Sequence, residues 1–142
     1  MSSRSRGREY AMQILYQMDV QGKNYSVENL QVATIEYWSS FNCNVQTRNF
    51  AESLVGGVGK HIENIHETLK SISSHWKIER MSPVDRCILC LGVYELKFCD
   101  TPPAVVINEA IELGKKFGAK QSSAFINGIL DKVKIGRNIS KP

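Results

Sequence analysis

Apolar positions along this chain recur every three or four residues, and alternation with a period of two never persists over the length of a strand. The pattern predicts an all-α protein of about seven helices. Ala11, Ile14, Leu15 and Met18 share one face of a first helix over about Ser5 to Val20, which Gly22, Lys23 and Asn24 then break. Ser26, with Asn29 at its third position, caps a second helix that runs to Trp38, and SSFNCNV reads as a turn. From Thr47 the spacing resumes through Phe50, Leu54, Val55 and Val58, then Ile62, Ile65, Leu69 and Ile72. Gly56, Gly57 and Gly59 divide this stretch into two helices joined near Gly59 to His61, since an interior glycine costs about 1 kcal/mol. Ser71, Ser73 and Ser74 close the first half.

The second half carries stronger punctuation. In MSPVDRCILCLGVYEL, Ser82 is an N-cap, Pro83 sits at the first helical position, and Asp85 at the third completes a capping box. That helix runs to about Cys99. Pro102 and Pro103 open the next, with Val106, Ala110, Leu113 and Phe117 on one face and Gly118 as the terminating C′ glycine. Ser122 or Ser123 caps a last helix bearing Phe125, Ile126, Ile129, Leu130 and Val133, and Gly128 inside it is expected to let a neighbour approach closely. The expected organisation is one compact domain of two three-helix lobes, roughly 1–75 and 80–136, with 137–142 as a tail.

Length and composition agree with a self-sufficient core: 142 residues, 42% of them hydrophobic, need no disulfide scaffold. No run approaches the roughly 18 apolar residues of a membrane span, and the first turn is too rich in arginine for a secretory signal. A cytoplasmic protein without membrane contact is expected. The formal charge of +4 is unevenly placed. Arg4, Arg6 and Arg8 face only Glu9 at one end; at the other, Lys115, Lys116, Lys120, Lys132, Lys134, Arg137 and Lys141 face Asp131 alone. Such blocks suit polyanions, although solvated tails share the signature.

Candidate catalytic chemistry is sparse. Cys87 and Cys90 form a C-x-x-C, but Ile and Leu fill the gap in mid-helix, and His61, His66 and His75 offer no second pair of zinc ligands. These cysteines, with Cys43 and Cys99, read as small apolar core or near-core residues with inert thiols. Glu109 with Glu112 and Glu63 with Glu67 lack the companion histidines of a bundle metal site. No nucleophile elbow or phosphate loop is present. The expectation is a protein with no catalytic residues, metal or cofactor.

Binding residues are easier to find. Phe117-Gly-Ala-Lys-Gln-Ser-Ser-Ala-Phe125 enters the last helix, whose N-terminus favours phosphate. It offers the Lys120 charge, the Gln121 amide, the hydroxyls of Ser122 and Ser123, and the Phe125 ring. Single-stranded RNA is recognised by such a set: charge for phosphate, hydrogen bonds for base edges, an aromatic face for stacking. A capped helix with a core phenylalanine would use most of the same residues.

Several longer motifs resemble the NusB family of bacterial transcription antitermination factors. They are Arg4-x-Arg6-x-Arg8-Glu9 with Ala11-x-x-Ile14-Leu15-Tyr16, Asp85-Arg86 leading to Tyr94-Glu95-Leu96, Ile107 to Leu113 as INEAIEL, Phe117-Gly118-Ala119, and Phe125 to Asp131 as FINGILD. The resemblance covers essentially the whole chain. It implies two roughly perpendicular three-helix lobes without catalysis. It also implies pairing with NusE, a small-subunit ribosomal protein, binding of boxA RNA in ribosomal RNA leaders, and action within the RNA polymerase antitermination complex. The family's RNA surface carries over to Arg4, Arg6, Arg8, Lys120, Gln121, Ser122 and Phe125, and its NusE surface to Asp85 and Arg86. Asn108, Glu109, Asn127 and Asp131 are expected to be structural, with Asn and Glu in an otherwise apolar helix as candidates for inter-helix hydrogen bonds.

Two departures stand out. Cys90 replaces an arginine frequent in the family, and Gln121 replaces a frequent acidic residue, removing repulsion from phosphate. A related helical domain is also fused to an RNA methyltransferase, but this chain has no residues left for a cofactor-binding α/β domain. The competing expectation is a helical interaction module, or a homodimer of the kind some relatives form, with no direct RNA contact.

Overall fold

The computed structural model describes residues 2–72 and 78–140 and divides into two compact units, up to Ile62 and from Glu63 onward. The described residues are helical with no strand, as the periodicity requires. Ser73, Ser74 and His75 lie outside the described residues, as does Lys141.

Three helices build the first unit: α1 (Ser3–Val20), α2 (Val27–Ser39) and α3 (Val45–Lys60). Each starts on a side-chain cap. Ser2 Oγ accepts the Ser5 amide at 3.0 Å, Ser26 Oγ that of Asn29 at 3.1 Å, and Asn44 Oδ1 that of Thr47 at 2.8 Å. The Ser2 and Asn44 caps start α1 and α3 two residues earlier than hydrophobic spacing alone predicts, because capping residues precede the first apolar position. Ala11, Ile14, Leu15 and Met18 are all buried, and α1 packs on both α2 and α3 through this face. Gly22, at φ 74°, turns the chain after α1, and the Tyr25 hydroxyl donates to the buried Asp19 carboxylate to close the connection.

The second unit contains α4 (Ile62–Ile72, its first residue at the boundary), a short 3₁₀ turn (Ile78–Arg80), α5 (Pro83–Phe98), α6 (Pro103–Phe117) and α7 (Ser122–Ser140). The division thus falls earlier than residue 75, and α4 belongs with the second unit. Helix α7 also continues past Gly136 to Ser140, where the sequence suggests a tail.

Helix α5 is the core of this unit. Every residue from Cys87 to Val93 is buried, so the helix is enclosed on all sides instead of presenting one apolar stripe, and it packs on both α6 and α7. The close approach expected at Gly128 occurs at Gly92. A Cβ at Gly92 would lie 2.8 Å from Leu130 Cδ1, whereas a Cβ at Gly128 would meet nothing within 4 Å. The small residue is needed where a large side chain of the partner helix is aimed, and FINGILD does not reveal where its own leucine points.

Candidate nucleic-acid interface

The arginine-rich start of α1 is a docked helix end. Its first turn contains no acidic residue to complement the helix dipole, which disfavours Arg4 and Arg6 there by about 0.3–1 kcal/mol each. Arg4 and Arg8, four residues apart, share a face that Arg6 does not. That face meets the first half of α3. The guanidinium carbons of Arg4 and Arg8 stand 4.6 and 5.3 Å from the centroid of one ring, Phe50. Cation–π contacts of this kind return about 0.5–1 kcal/mol each at exposed sites, which offsets the dipole penalty. Gly7 makes the arrangement possible, since a Cβ there would fall 2.7 Å from Phe50 Cδ2. The Ser3 and Thr47 hydroxyls, 2.6 Å apart and hydrogen-bonded, pin the same turn to α3.

Exposure separates the three arginines. Arg4 and Arg6 are exposed, but Arg8 retains only 5% of its surface. Arg8, expected from the sequence as a phosphate contact, is nearly buried, with its charge against the Phe50 ring. Thr47 and Phe50 were visible in the sequence only as members of the α3 pattern. The spacing of Arg4 and Arg8 signals a shared face, but the ring it meets lies far along the chain.

Beyond this turn the first unit carries an aromatic cluster. Tyr10 stands edge-on to Phe41 at 4.8 Å and Tyr37 edge-on to Trp38 at 5.0 Å, with the Arg48 guanidinium 5.2 Å from the Trp38 ring. Burial pushes the Tyr37 hydroxyl up to about 12, helped by neighbouring Tyr10, Glu9 and Cys43. It donates to Gln13 Oε1 at 2.5 Å.

In the second unit the loop from α6 to α7 is ordered from within. Ser122 is almost fully buried, and its Oγ accepts the Ala119 amide at 2.9 Å while its own amide donates to the Ala119 carbonyl at 3.1 Å. This reciprocal pair holds Lys120 and Gln121 at the exposed tip. The Ser122 hydroxyl, expected from the sequence as an RNA contact, is turned inward and engaged by the Ala119 amide. Gly118 does not end α6 in a left-handed conformation; its backbone is extended, at φ −92° and ψ −175°. Glycine is needed there for space, because a Cβ would sit 2.5 Å from Ser122 Oγ. Phe125 is half-buried one turn into α7, and its amide donates to the Gln121 carbonyl at 3.2 Å. Asn108 and Asp131 are exposed, and Glu109 and Asn127 are half-buried.

Asp85 and Arg86 sit at the start of α5. Ser82 Oγ accepts the Asp85 amide at 3.2 Å, but Asp85 Oδ1 is buried without a hydrogen-bond partner among the described residues, so half of the expected capping box forms. Arg86 Nη1 donates to the Ile78 and Met81 carbonyls, both at 3.0 Å, and thereby holds the 3₁₀ turn against α5.

Cys87 and Cys90 are buried in α5, and burial raises the Cys43 thiol above its usual range against the opposing pull of Arg48. Among the described residues no group of three or more His, Cys, Asp or Glu is placed to hold a metal ion, and no helix is long and apolar enough to cross a membrane.

This arrangement has close counterparts. A relative from Anaeromyxobacter dehalogenans, a transcription antitermination protein NusB, is 46% identical over 136 residues, spanning 95% of this chain and 92% of its own. The solved NusB of T. maritima superposes with a TM-score of 0.80 at 28% identity, covering 95% of this chain and 92% of that one. A chain from the crystal structure of antitermination factors NusB and NusE in complex with dsRNA does so with a TM-score of 0.78 at 29% identity, covering 96% and 98%. The NusB family model matches residues 5–134, and with these likenesses running over nearly its whole length the chain belongs to the NusB family.

Proposed function

We propose that this protein is a transcription antitermination factor that binds boxA-type RNA of ribosomal RNA leaders together with NusE, as part of the RNA polymerase antitermination complex. The observation that carries this reading is the likeness, over nearly the full length of both chains, to a NusB solved with NusE and RNA. It acts by binding, without a catalytic step or cofactor, in the cytoplasm where transcripts emerge.

The two ends of the chain divide the work. Arg4 and Arg6 supply phosphate contacts from α1, with Arg8 behind them as anchor. Lys120 supplies another at the N-terminus of α7, where the helix dipole also favours an anion. Gln121 offers an amide that hydrogen-bonds base edges, and Phe125 offers a half-exposed ring for stacking, while Ser122 fixes the loop that presents them. Asp85 faces NusE, and Arg86 contributes by shaping the adjoining 3₁₀ turn.

The test is a titration of boxA and scrambled RNA across a salt series, with and without NusE. Preference for boxA that grows when NusE is added is the expected result. Equal affinity for both RNAs under all conditions refutes the proposal, and light scattering on the same samples shows whether self-association covers the basic residues instead.

A further inference from the structure

We propose that Phe50 is a positioning residue of the RNA site, a ring platform that fixes Arg4 for phosphate. This rests on the proposal that the start of α1 contacts RNA. An arginine on a helix end has long, freely rotating side-chain bonds, and holding it in one geometry for a phosphate costs entropy at the moment of binding. Phe50 meets that cost in advance. The guanidinium carbon of Arg4 lies 4.6 Å from the ring centroid, and Arg8, nearly buried, occupies the same ring at 5.3 Å.

The two uses of Arg4 do not compete. Stacking engages the π-face of the guanidinium, and phosphate takes the N–H groups at its edge, so an arginine lying on a ring still presents a bidentate fork. Three further features converge on this ring. Gly7 is small where the ring passes, with 2.7 Å left for any Cβ; the Ser3–Thr47 hydrogen bond ties the turn to α3; and the Asn44 cap fixes the start of α3 two turns before Phe50. Arg6, off this face and exposed, lacks the platform and serves as the internal comparison.

The experiment measures boxA RNA affinity at low salt for Arg4→Ala, Phe50→Leu, Phe50→Tyr and the Arg4→Ala/Phe50→Leu pair, beside a thermal melt of each. Phe50→Leu is expected to bind about 3- to 10-fold more weakly, Phe50→Tyr to bind like the parent, and Phe50→Leu to cost little more once Arg4 is already alanine. A Phe whose role is only to support the fold would give additive losses. Phe50→Leu with parental affinity, or additive effects in the pair, overturns the platform while leaving the RNA site intact. An Arg4→Ala variant with parental affinity overturns the site at this end as well. Where Phe50→Leu does not fold, Phe50→Met fills similar space without a ring and answers the same question.

Discussion

Ser122 Oγ accepts the Ala119 amide at 2.9 Å, closing the loop that carries Lys120 and Gln121. Ser122→Ala removes that acceptor and is expected to cost about 1 kcal/mol of stability, with a parallel loss of RNA affinity because the loop must then be ordered by the ligand. Denaturant melts and RNA titrations on the same variant measure both. Loss of affinity in Ser122→Ala comparable to that in Lys120→Ala, with faster amide exchange at Ala119, is the signature of positioning.

Gln121 sits exposed at the tip of the same loop. Gln121→Asp places a negative charge where phosphate is expected, and the repulsion of unit charges about 4 Å apart in water, about 1 kcal/mol, corresponds to roughly 5-fold weaker binding. The difference should shrink as salt is raised. Equal affinities at low salt would show that RNA does not pass this residue.

Phe125 is half-buried, so its replacement reports on stacking and packing together. Phe125→Ala is expected to reduce the preference for boxA over scrambled RNA, with about 1–3 kcal/mol at stake for a stacked base. A thermal melt separates the contributions: an unfolded variant loses binding to every RNA, whereas a folded one loses discrimination.

Arg6 and Arg8 should part ways. Arg6→Ala is expected to raise stability slightly, by at most about 1 kcal/mol as the unfavourable charge leaves the helix N-terminus, and to reduce the slope of log affinity against log salt by about 1. Arg8→Ala, which strips a buried cation from the Phe50 ring and leaves space behind, is expected to cost about 1–2 kcal/mol of stability. If the two variants behave alike in both assays, the distinction between contact and anchor is wrong.

Tyr37 should make the first unit sensitive to alkali. Its hydroxyl titrates near 10 when unfolded and about 12 when folded, so the native state holds the proton more tightly. The associated stability is complete below pH 10 and is lost as pH rises through 12. Tyr37→Phe is expected to flatten the fall in stability between pH 10 and 12, measured by denaturant unfolding at fixed ionic strength.

Much of the fold is legible in the sequence. Spacing places Ala11, Ile14, Leu15 and Met18 together and Ser26 and Ser82 announce their helices, while the charge imbalance supports the proposed RNA contacts at both ends of the chain. What escaped was tertiary. Periodicity reports which residues of one helix share a face, but not what that face meets, so Phe50 reads as one more α3 residue, and the glycine in FINGILD draws the eye where Gly92 makes the contact. Burial was equally hidden: nothing local distinguishes the enclosed Arg8 and Ser122 from the exposed Arg4 and Gln121. Helix α5 shows the same gap, because a complete apolar surround follows from having neighbours on all sides.

The seat of Leu130 over Gly92 ties two distant positions into one volume. With 2.8 Å between the leucine and any added Cβ, a methyl group at 92 forces the Leu130 side chain to shift and favours a smaller residue at 130, and a shortened 130 leaves a void that a larger 92 can fill. Across descendants of this sequence the two positions should therefore tend to change together, each substitution better tolerated in the company of its complement.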